Sequence, residues 1–243
     1  MAKIRLDERL VNEGYFESRE RAKRSIMAGD VLVDNVPVAK AGTFIKEESE
    51  IRLRGNLIPY VSRGGLKLAS AIEKFNIDFK GKRVLDIGAS TGGFTDCAIQ
   101  NGASFVYALD VGTNQLAWKL RNHLQVKSIE NCHIKDLTLE MIECEKVEII
   151  VMDLSFISLT KVFVYLKSLL KNNGIIMALI KPQFEVGKER VEKNGIIKSP
   201  ELHKFAVDSV VNFAKSLDFE LIFIAESPIL GGKGNKEFIS LFK

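Results

Sequence analysis

The 243-residue sequence is poor in cysteine and has no long hydrophobic segment. No apolar run approaches the length of a membrane span, and the first residues lack the apolar core of a secretion signal. We therefore expect a cytoplasmic protein that does not insert into a membrane. The cysteines, Cys97, Cys132 and Cys144, are odd in number and lack the spacing of metal ligands. We expect no metal site and no structural disulfide, and we interpret Cys97 as a small buried apolar residue.

The composition is that of a soluble globular protein, with 46% hydrophobic and 27% charged residues. The length allows a catalytic domain with a full core beside a smaller module. A net charge of +4 suits a polyanionic partner, but proteins that bind no polyanion often carry so small an excess. Composition alone therefore leaves the partner open.

A Gly-rich turn is the clearest local pattern. The apolar run Arg83–Ile87 predicts a strand, and the residues Gly-Ala-Ser-Thr-Gly-Gly then lead into a predicted helix over 92–101. Glycine lets a ligand approach the backbone, and the helix start offers free N–H groups. A second apolar run, 104–109, ends in Asp110, at the spacing of a carboxylate that accepts both ribose hydroxyls of an adenosine. Any parallel sheet needs Gly-rich corners, but turn and acid together predict a nucleotide or S-adenosylmethionine site.

Strand-like and helix-like segments alternate along the second part of the chain, which predicts a doubly wound α/β sheet. Predicted strands cover 84–87, 105–109, 126–129, 148–152, 175–180, 220–225 and 237–242, and predicted helices cover 92–101, 159–171 and 202–217, with another from about residue 115. The last two strands predict a terminal hairpin with one antiparallel edge strand. Asp153 and Lys181 end the fourth and fifth strands, so their side chains should reach the edge that carries the Gly turn.

The N-terminal residues predict a separate α+β module, which we place at 1–58, with the α/β domain at 59–243. Leu6, Leu10 and Val11 share one helical face, and Gly14 is positioned to end that helix. Ser18 is a candidate N-cap for a second helix over 19–28. Short strands are predicted at 31–33, 36–38 and 51–54, with a turn at 34–35, and a polar connection follows at 54–59.

This module resembles the S-four-type RNA-binding domain, first known from a ribosomal protein. The resemblance rests on Arg5-Leu6-Asp7, Ser18-Arg19-Glu20-Arg21-Ala22 and the run from Ile26 to Asp34. It implies that RNA lies against the basic second helix and the adjoining hairpin. The candidate RNA contacts are Arg5, Arg19, Arg21, Lys23 and Arg24. On charge alone the same cluster is a solvated helix face diluted by Glu17 and Glu20.

The whole chain resembles the TlyA family of ribosomal RNA methyltransferases. Five segments carry the resemblance in order: 62–68 (SRGGLKL), 86–95 (DIGASTGGFT), 153–159 (DLSFISL), 180–185 (IKPQFE) and 234–238 (GNKEF). It implies an FtsJ-like, Rossmann-like methyltransferase domain that transfers a methyl group from S-adenosylmethionine to ribose 2′-hydroxyls of cytidines in ribosomal RNA. It also implies a catalytic tetrad at Lys67, Asp153, Lys181 and Glu237.

The resemblance further implies the cofactor contacts. Gly88, Ser90, Gly92 and Gly93 would line the methionine part, Asp86 its amino group, and Asp110 the ribose. Asp136 or its segment 131–137 would form the adenine wall, although Cys-His-Ile-Lys stands here in place of the family's usual Asn-x-Arg pattern.

Several alternatives stay open from the sequence. Lys181 as general base is a hypothesis, because a neighbouring Lys67 lowers the pKa of an amine and nearby acids raise it. The insertion 182–200 either guides RNA through Lys188, Arg190, Lys193 and Lys198 or is a solvated loop. Phe156 and Phe184 either stack on a flipped base or pack in the core.

Two other functions compete with the methyltransferase. Proteins of this family have also been named haemolysins, and an RNA-binding assembly factor without catalysis would keep the same first domain. The absence of a spanning segment disfavours the first, and the intact tetrad disfavours the second. A monomer is expected, and the modified cytidine and the ribosomal subunit are left open.

Overall fold

The computed structural model describes residues 3–13, 15–16, 18–54, 58–192, 195–231 and 234–243. The chain divides into two units, Met1–Leu57 and Ile58–Lys243, one residue from the boundary expected from the sequence. Three sequence-based expectations lie outside the described residues: the helix end at Gly14, the basic residue Lys193 and most of the polar connection around 55–57.

The first unit packs two helices on short strands. Its elements are β1 (Lys3–Arg5), α1 (Leu6–Asn12), α2 (Arg19–Met27), β2 (Val31–Val33), β3 (Val36–Pro37), β4 (Phe44–Lys46) and β5 (Ile51–Leu53). Ser18 caps α2 as predicted, since its Oγ accepts a hydrogen bond from the N–H of Arg21 at 3.3 Å. Leu6, Leu10 and Ile26 are fully buried between the helices and the strands. The pair β1–β4 was not predicted, because three-residue strands leave almost no periodic signal.

The second unit is a seven-stranded sheet between helical layers. Its elements are α3 (Gly64–Phe75), β6 (Arg83–Ile87), α4 (Gly93–Gln100), β7 (Phe105–Leu109), α5 (Trp118–Arg121), β8 (Val126–Ile129), β9 (Val147–Met152), α6 (Thr160–Phe163), α7 (Leu166–Leu169), β10 (Leu170–Ile180), α8 (Pro182–Glu185), α9 (Pro200–Ser216), β11 (Leu221–Glu226) and β12 (Phe238–Phe242). The strand order is β11-β12-β10-β9-β6-β7-β8. Alternate residues of a strand pack into two separate hydrophobic cores on the two faces of the sheet. Leu85 and Ile150 belong to one core, and Val84 and Ile149 belong to the other. The doubly wound α/β fold is thereby confirmed.

Two details of the predicted sheet are wrong. The antiparallel strand is not at the edge: β12 lies between β10 and β11 and runs antiparallel to both, so the edge strand β11 has the direction of the parallel set. The helix predicted over 159–171 is two short helices, and β10 already begins at Leu170. Asn172, Asn173 and Gly174 are poor helix formers, and the strand pairing shifts register across them.

Two expectations about apolar character can also be compared with the structure. Cys97 is fully buried in α4, as interpreted from its position. Within the described part of the chain, every helix is too short or too polar to cross a bilayer.

Candidate active site at the carboxyl ends of the strands

The Gly-rich turn joins β6 to α4 and brings the backbone close to its neighbours. Gly88 has φ +82°, and a Cβ there would lie 2.7 Å from Cδ2 of Leu154. A Cβ on Gly93 would lie 2.3 Å from Oγ of Ser62. Gly88 therefore requires glycine for its left-handed backbone, and Gly93 requires it for space, because a Cβ there would also lie 2.9 Å from the backbone nitrogen of Gly65. Gly92 differs, because its missing side chain would point at leucines of the α5 region.

A cavity of about 310 Å³, which we call the central cavity, lies beside this turn. Gly88, Ser90 and Gly93 line it, and Asp86 is buried in its wall. The Oδ2 atom of Asp86 accepts a hydrogen bond from Thr95 Oγ1 at 2.7 Å, whereas its Oδ1 atom has no partner among the described residues. An unpaired buried acceptor suits a ligand with N–H groups.

The protonation of Asp86 is sensitive to its surroundings. Burial raises its pKa to about 7, and the negative charges of Asp153 and Asp110 add to this effect, while the hydrogen bond from Thr95 opposes it. A positively charged group bound beside Asp86 would favour the ionised form.

A second cavity of about 360 Å³, the side cavity, adjoins the other side of the turn and includes Asp110. The carboxylate of Asp110 accepts hydrogen bonds from the N–H groups of Ser90 at 2.8 Å and Gly112 at 2.7 Å, which hold it in place. Cys132, His133 and Ile134 form part of the wall. Asp136 does not line this cavity and is exposed at the end of a 3₁₀ turn, so the segment named from the sequence reaches the cavity through its earlier residues.

The four residues of the expected tetrad meet in one network. Lys67 on α3 donates to Glu237 Oε2 at 2.7 Å and to Asp153 Oδ2 at 3.3 Å. Lys181 Nζ lies 2.5 Å from the other oxygen of Asp153 and donates to Ser155 Oγ at 3.1 Å. Lys67, Lys181 and Glu237 are 8%, 7% and 2% exposed. Two lysines and two acids balance in charge, which is what permits them to be buried together.

Three strand ends and one helix bring the four tetrad side chains together. Asp153 follows β9 and Lys181 follows β10, so both emerge at the carboxyl edge of the parallel strands. Glu237 directly precedes β12, whose antiparallel direction brings its start to that same edge. Lys67 reaches the network from the second turn of α3.

A third cavity of about 280 Å³, the outer cavity, lies on the other side of the tetrad. Lys181 and Ser155 line both the central and the outer cavity. Phe156 and Phe184 form an aromatic wall with ring centres 5.3 Å apart. Phe156 is 91% exposed and has φ +66°, so core packing does not explain its position.

Sequence reasoning did not single out several supporting residues. Glu185 accepts hydrogen bonds from Ser158 Oγ at 2.6 Å and from the N–H of Leu159 at 2.9 Å, so it anchors the loop that follows Asp153. Burial raises the pKa of Glu185. It lies at the end of α8, and no local pattern in the sequence pointed to its contacts with residues 26 and 27 positions away.

Two of the basic RNA-contact candidates in the first unit pair with acidic side chains. Arg5 contacts both oxygens of Asp7 at 3.0 Å, and Arg19 contacts Asp7 at 3.0 Å and Glu8 at 3.0 Å. Asp7 is fully buried, and the hydrogen bond from Arg5 is the main cause that lowers its pKa to about 2. Arg5 and Arg19 thus neutralise a buried acid.

The other basic candidates lie along α2. Lys23 pairs with Glu20 at 3.1 Å, Arg21 is half-buried, and Arg24 is exposed.

A doubly wound sheet with a Gly turn after its first strand and an acid after the second is the arrangement of a Rossmann-like domain that binds a nucleotide-type cofactor. In agreement, residues 60–243 match the FtsJ-like methyltransferase family and residues 4–51 match the S4 domain. The chain belongs to the FtsJ-like methyltransferase family, with an S4 domain at its N-terminus.

Similar proteins carry two kinds of name. The chain is 44% identical to Hemolysin A of Brachyspira hyodysenteriae, over 98% of this chain and 99% of that protein. It is 39% identical to the 16S/23S rRNA (cytidine-2'-O)-methyltransferase TlyA of Mycobacterium tuberculosis, over 97% of this chain and 88% of that protein. A solved structure from Streptococcus thermophilus, also named as a hemolysin, is 41% identical with a TM-score of 0.78, over 100% of this chain and 88% of that one. The expected TlyA relationship is confirmed.

Proposed function

We propose that this protein transfers a methyl group from S-adenosylmethionine to the ribose 2′-oxygen of a cytidine in ribosomal RNA. The observation that carries the proposal is the position of Lys181, which borders both the central and the outer cavity. A cofactor in one cavity and a nucleotide in the other would meet at its amino group. The activity in the name of the mycobacterial relative, 39% identical over nearly the whole chain, supports the same reaction. Such a substrate implies a cytoplasmic protein.

The residues present fit the cofactor. The Oδ1 atom of Asp86, unpaired among the described residues, suits its ammonium group, and Gly88, Ser90 and Gly93 line the cavity that its methionine part would occupy. Asp110, held by two backbone N–H groups, keeps lone pairs for ribose hydroxyls. The wall at 132–134 would cover the adenine. When bound, S-adenosylmethionine supplies an electrophilic methyl group on a sulfonium ion.

The tetrad orients the acceptor and handles its proton. A ribose hydroxyl is a poor nucleophile, so it must be aligned and must lose its proton as the new bond forms. Lys181 contacts the hydroxyl, and the Lys181–Asp153 pair holds or takes up that proton. Lys67 links Asp153 to Glu237, so that the position of Asp153 is fixed from both sides.

RNA would be held by both units. In this proposal Lys23 and Arg24 on α2 contact phosphates. Arg5 and Arg19 contribute less positive charge to RNA binding, because both are paired with Asp7. Phe156, exposed beside the outer cavity, offers a face for stacking on a base.

Transfer of labelled methyl from S-adenosylmethionine to purified ribosomal subunits and to naked ribosomal RNA tests the proposal. The natural protein should label cytidine 2′-oxygens, and Lys181→Ala should lower the rate by about 10²–10⁴-fold while cofactor binding persists. Lys204→Ala is the matched control, because Lys204 is an exposed lysine of α9 paired with Asp208. Cofactor binding without transfer to any RNA would instead favour a catalytically silent assembly factor.

A further inference from the structure

The outer cavity holds one polar atom that the tetrad does not use. Gln183 lies in α8, two residues after Lys181, and lines this cavity together with Glu237 and Asn235. The Oε1 atom of Gln183 is buried and has no hydrogen-bond partner among the described residues. A buried carbonyl without a partner is destabilising, and a ligand that donates a hydrogen bond to it removes that penalty.

The other polar side chains that the structure describes in this cavity each have at least one partner. Asn235 accepts from the N–H of Ile197 at 2.9 Å and donates to the carbonyl of Gly195 at 2.9 Å. Ser155 accepts from Lys181 at 3.1 Å, and Glu237 is paired with Lys67. Among the described side chains of this wall, Gln183 Oε1 is therefore the buried acceptor that has no partner.

A nucleobase in this cavity would belong to the ribose that presents its hydroxyl to Lys181, because Lys181 forms part of the same wall. The two pyrimidines differ at the edge that meets such an acceptor. Cytosine carries an exocyclic amino group, which donates, whereas uracil carries a carbonyl oxygen, which only accepts. With its Oε1 atom presented to the base, the amide favours the first and would leave two carbonyls facing each other in the second.

We infer that Gln183 accepts a hydrogen bond from the exocyclic amino group of the target cytosine and is the residue that makes the enzyme select cytidine over uridine. This inference rests on the proposed function. It adds a specificity-determining residue outside the tetrad and outside the cofactor contacts.

The test compares two RNA substrates, one with the cytidine that the natural protein methylates and one with uridine at that position. The ratio of their kcat/KM values is measured for the natural protein, Gln183→Leu, Gln183→Glu and the control Gln125→Leu. Gln125 is an exposed glutamine that donates to the carbonyl of Ser104 and lines none of the three cavities. Thermal melting and cofactor binding show that each variant is folded.

The natural protein should prefer cytidine by about 10–100-fold, the discrimination expected of one or two base-edge hydrogen bonds. Gln183→Leu should bring the ratio to within about threefold of unity. Gln183→Glu should keep the preference at a pH at which its carboxyl is ionised, because a carboxylate only accepts, and Gln125→Leu should not change it.

If Gln183→Leu transfers methyl groups with the full cytidine preference, this inference is overturned and the proposed function still stands. Equal use of both RNAs by the natural protein would also overturn it, because the amide would then turn over to donate. Failure of the natural protein to methylate any cytidine of ribosomal RNA, so that no such substrate RNA exists, would overturn the proposed function together with it.

Discussion

The affinity for S-adenosylmethionine should depend on pH through Asp86. This side chain is 1% exposed, and burial raises its pKa to about 7 in the ligand-free protein. The proposed partner is the ammonium group of the cofactor, which binds the ionised carboxylate far better than the neutral acid. Affinity should therefore rise as the pH rises through about 7.

The size of the effect follows from the pKa. With a pKa of about 7, roughly one tenth of Asp86 is ionised at pH 6 and roughly nine tenths at pH 8. If the ionised form alone binds the ammonium group, the dissociation constant should be about tenfold larger at pH 6 than at pH 8. That ratio corresponds to about 1.4 kcal/mol of binding free energy.

Calorimetric titration with S-adenosylhomocysteine at pH 6, 7 and 8 measures this dependence without turnover. Asp86→Asn should bind more weakly at pH 8 and should lose the pH dependence. The natural protein with 5′-methylthioadenosine, which lacks the amino acid part, should give nearly constant affinity. A tenfold dependence that persists in Asp86→Asn, or a flat profile for the natural protein, would refute the assignment of Asp86.

Three further substitutions test other contacts. Glu185→Ala removes the acceptor for Leu159, and should lower the transfer rate about tenfold or more in the single-turnover assay with cofactor affinity unchanged. Asp7→Asn should lower the free energy of unfolding in urea by about 1–2 kcal/mol at pH 7. The pKa of Asp7 is about 2 in the folded protein, below the ordinary value of 3.8 that it has in the unfolded chain, so this difference should shrink as the pH falls from 4 towards 2. Gly93→Ala places a Cβ 2.3 Å from Ser62 Oγ. It should lower the free energy of unfolding by about 1–3 kcal/mol, seen as a lower melting temperature, and should weaken cofactor binding. Unchanged rate, unfolding curve or melting temperature, respectively, would contradict each expectation.

Local patterns were sufficient for the strand ends. Asp86, Asp110, Asp153 and Lys181 each follow or close an apolar run, and a parallel sheet brings such ends to one edge whatever the rest of the chain does. The same logic failed for the edge strand, since a hairpin signal does not say which of its two strands pairs with β10. It also failed at Leu170, where sheet pairing overrides a pattern that favours a helix.

Packing decided what each side chain can do. Lys67 was placed in the tetrad only by the family resemblance, and in the structure its contact with Glu237, 170 positions away, is what buries it there. The sequence predicted Arg5 and Arg19 as RNA contacts, but in the structure both guanidinium groups form ion pairs with the buried carboxylate of Asp7.

The sequence by itself therefore determined the strand–turn–helix order, the polar strand ends and the family, because these depend on neighbouring residues and on motifs. The tertiary structure alone decided which charges are paired, why burial raises the pKa of Asp86 to about 7 and why the Oε1 atom of Gln183 has no partner among the described residues. Burial, pairing and free lone pairs depend on residues far apart in the chain, and so only the folded molecule specifies them.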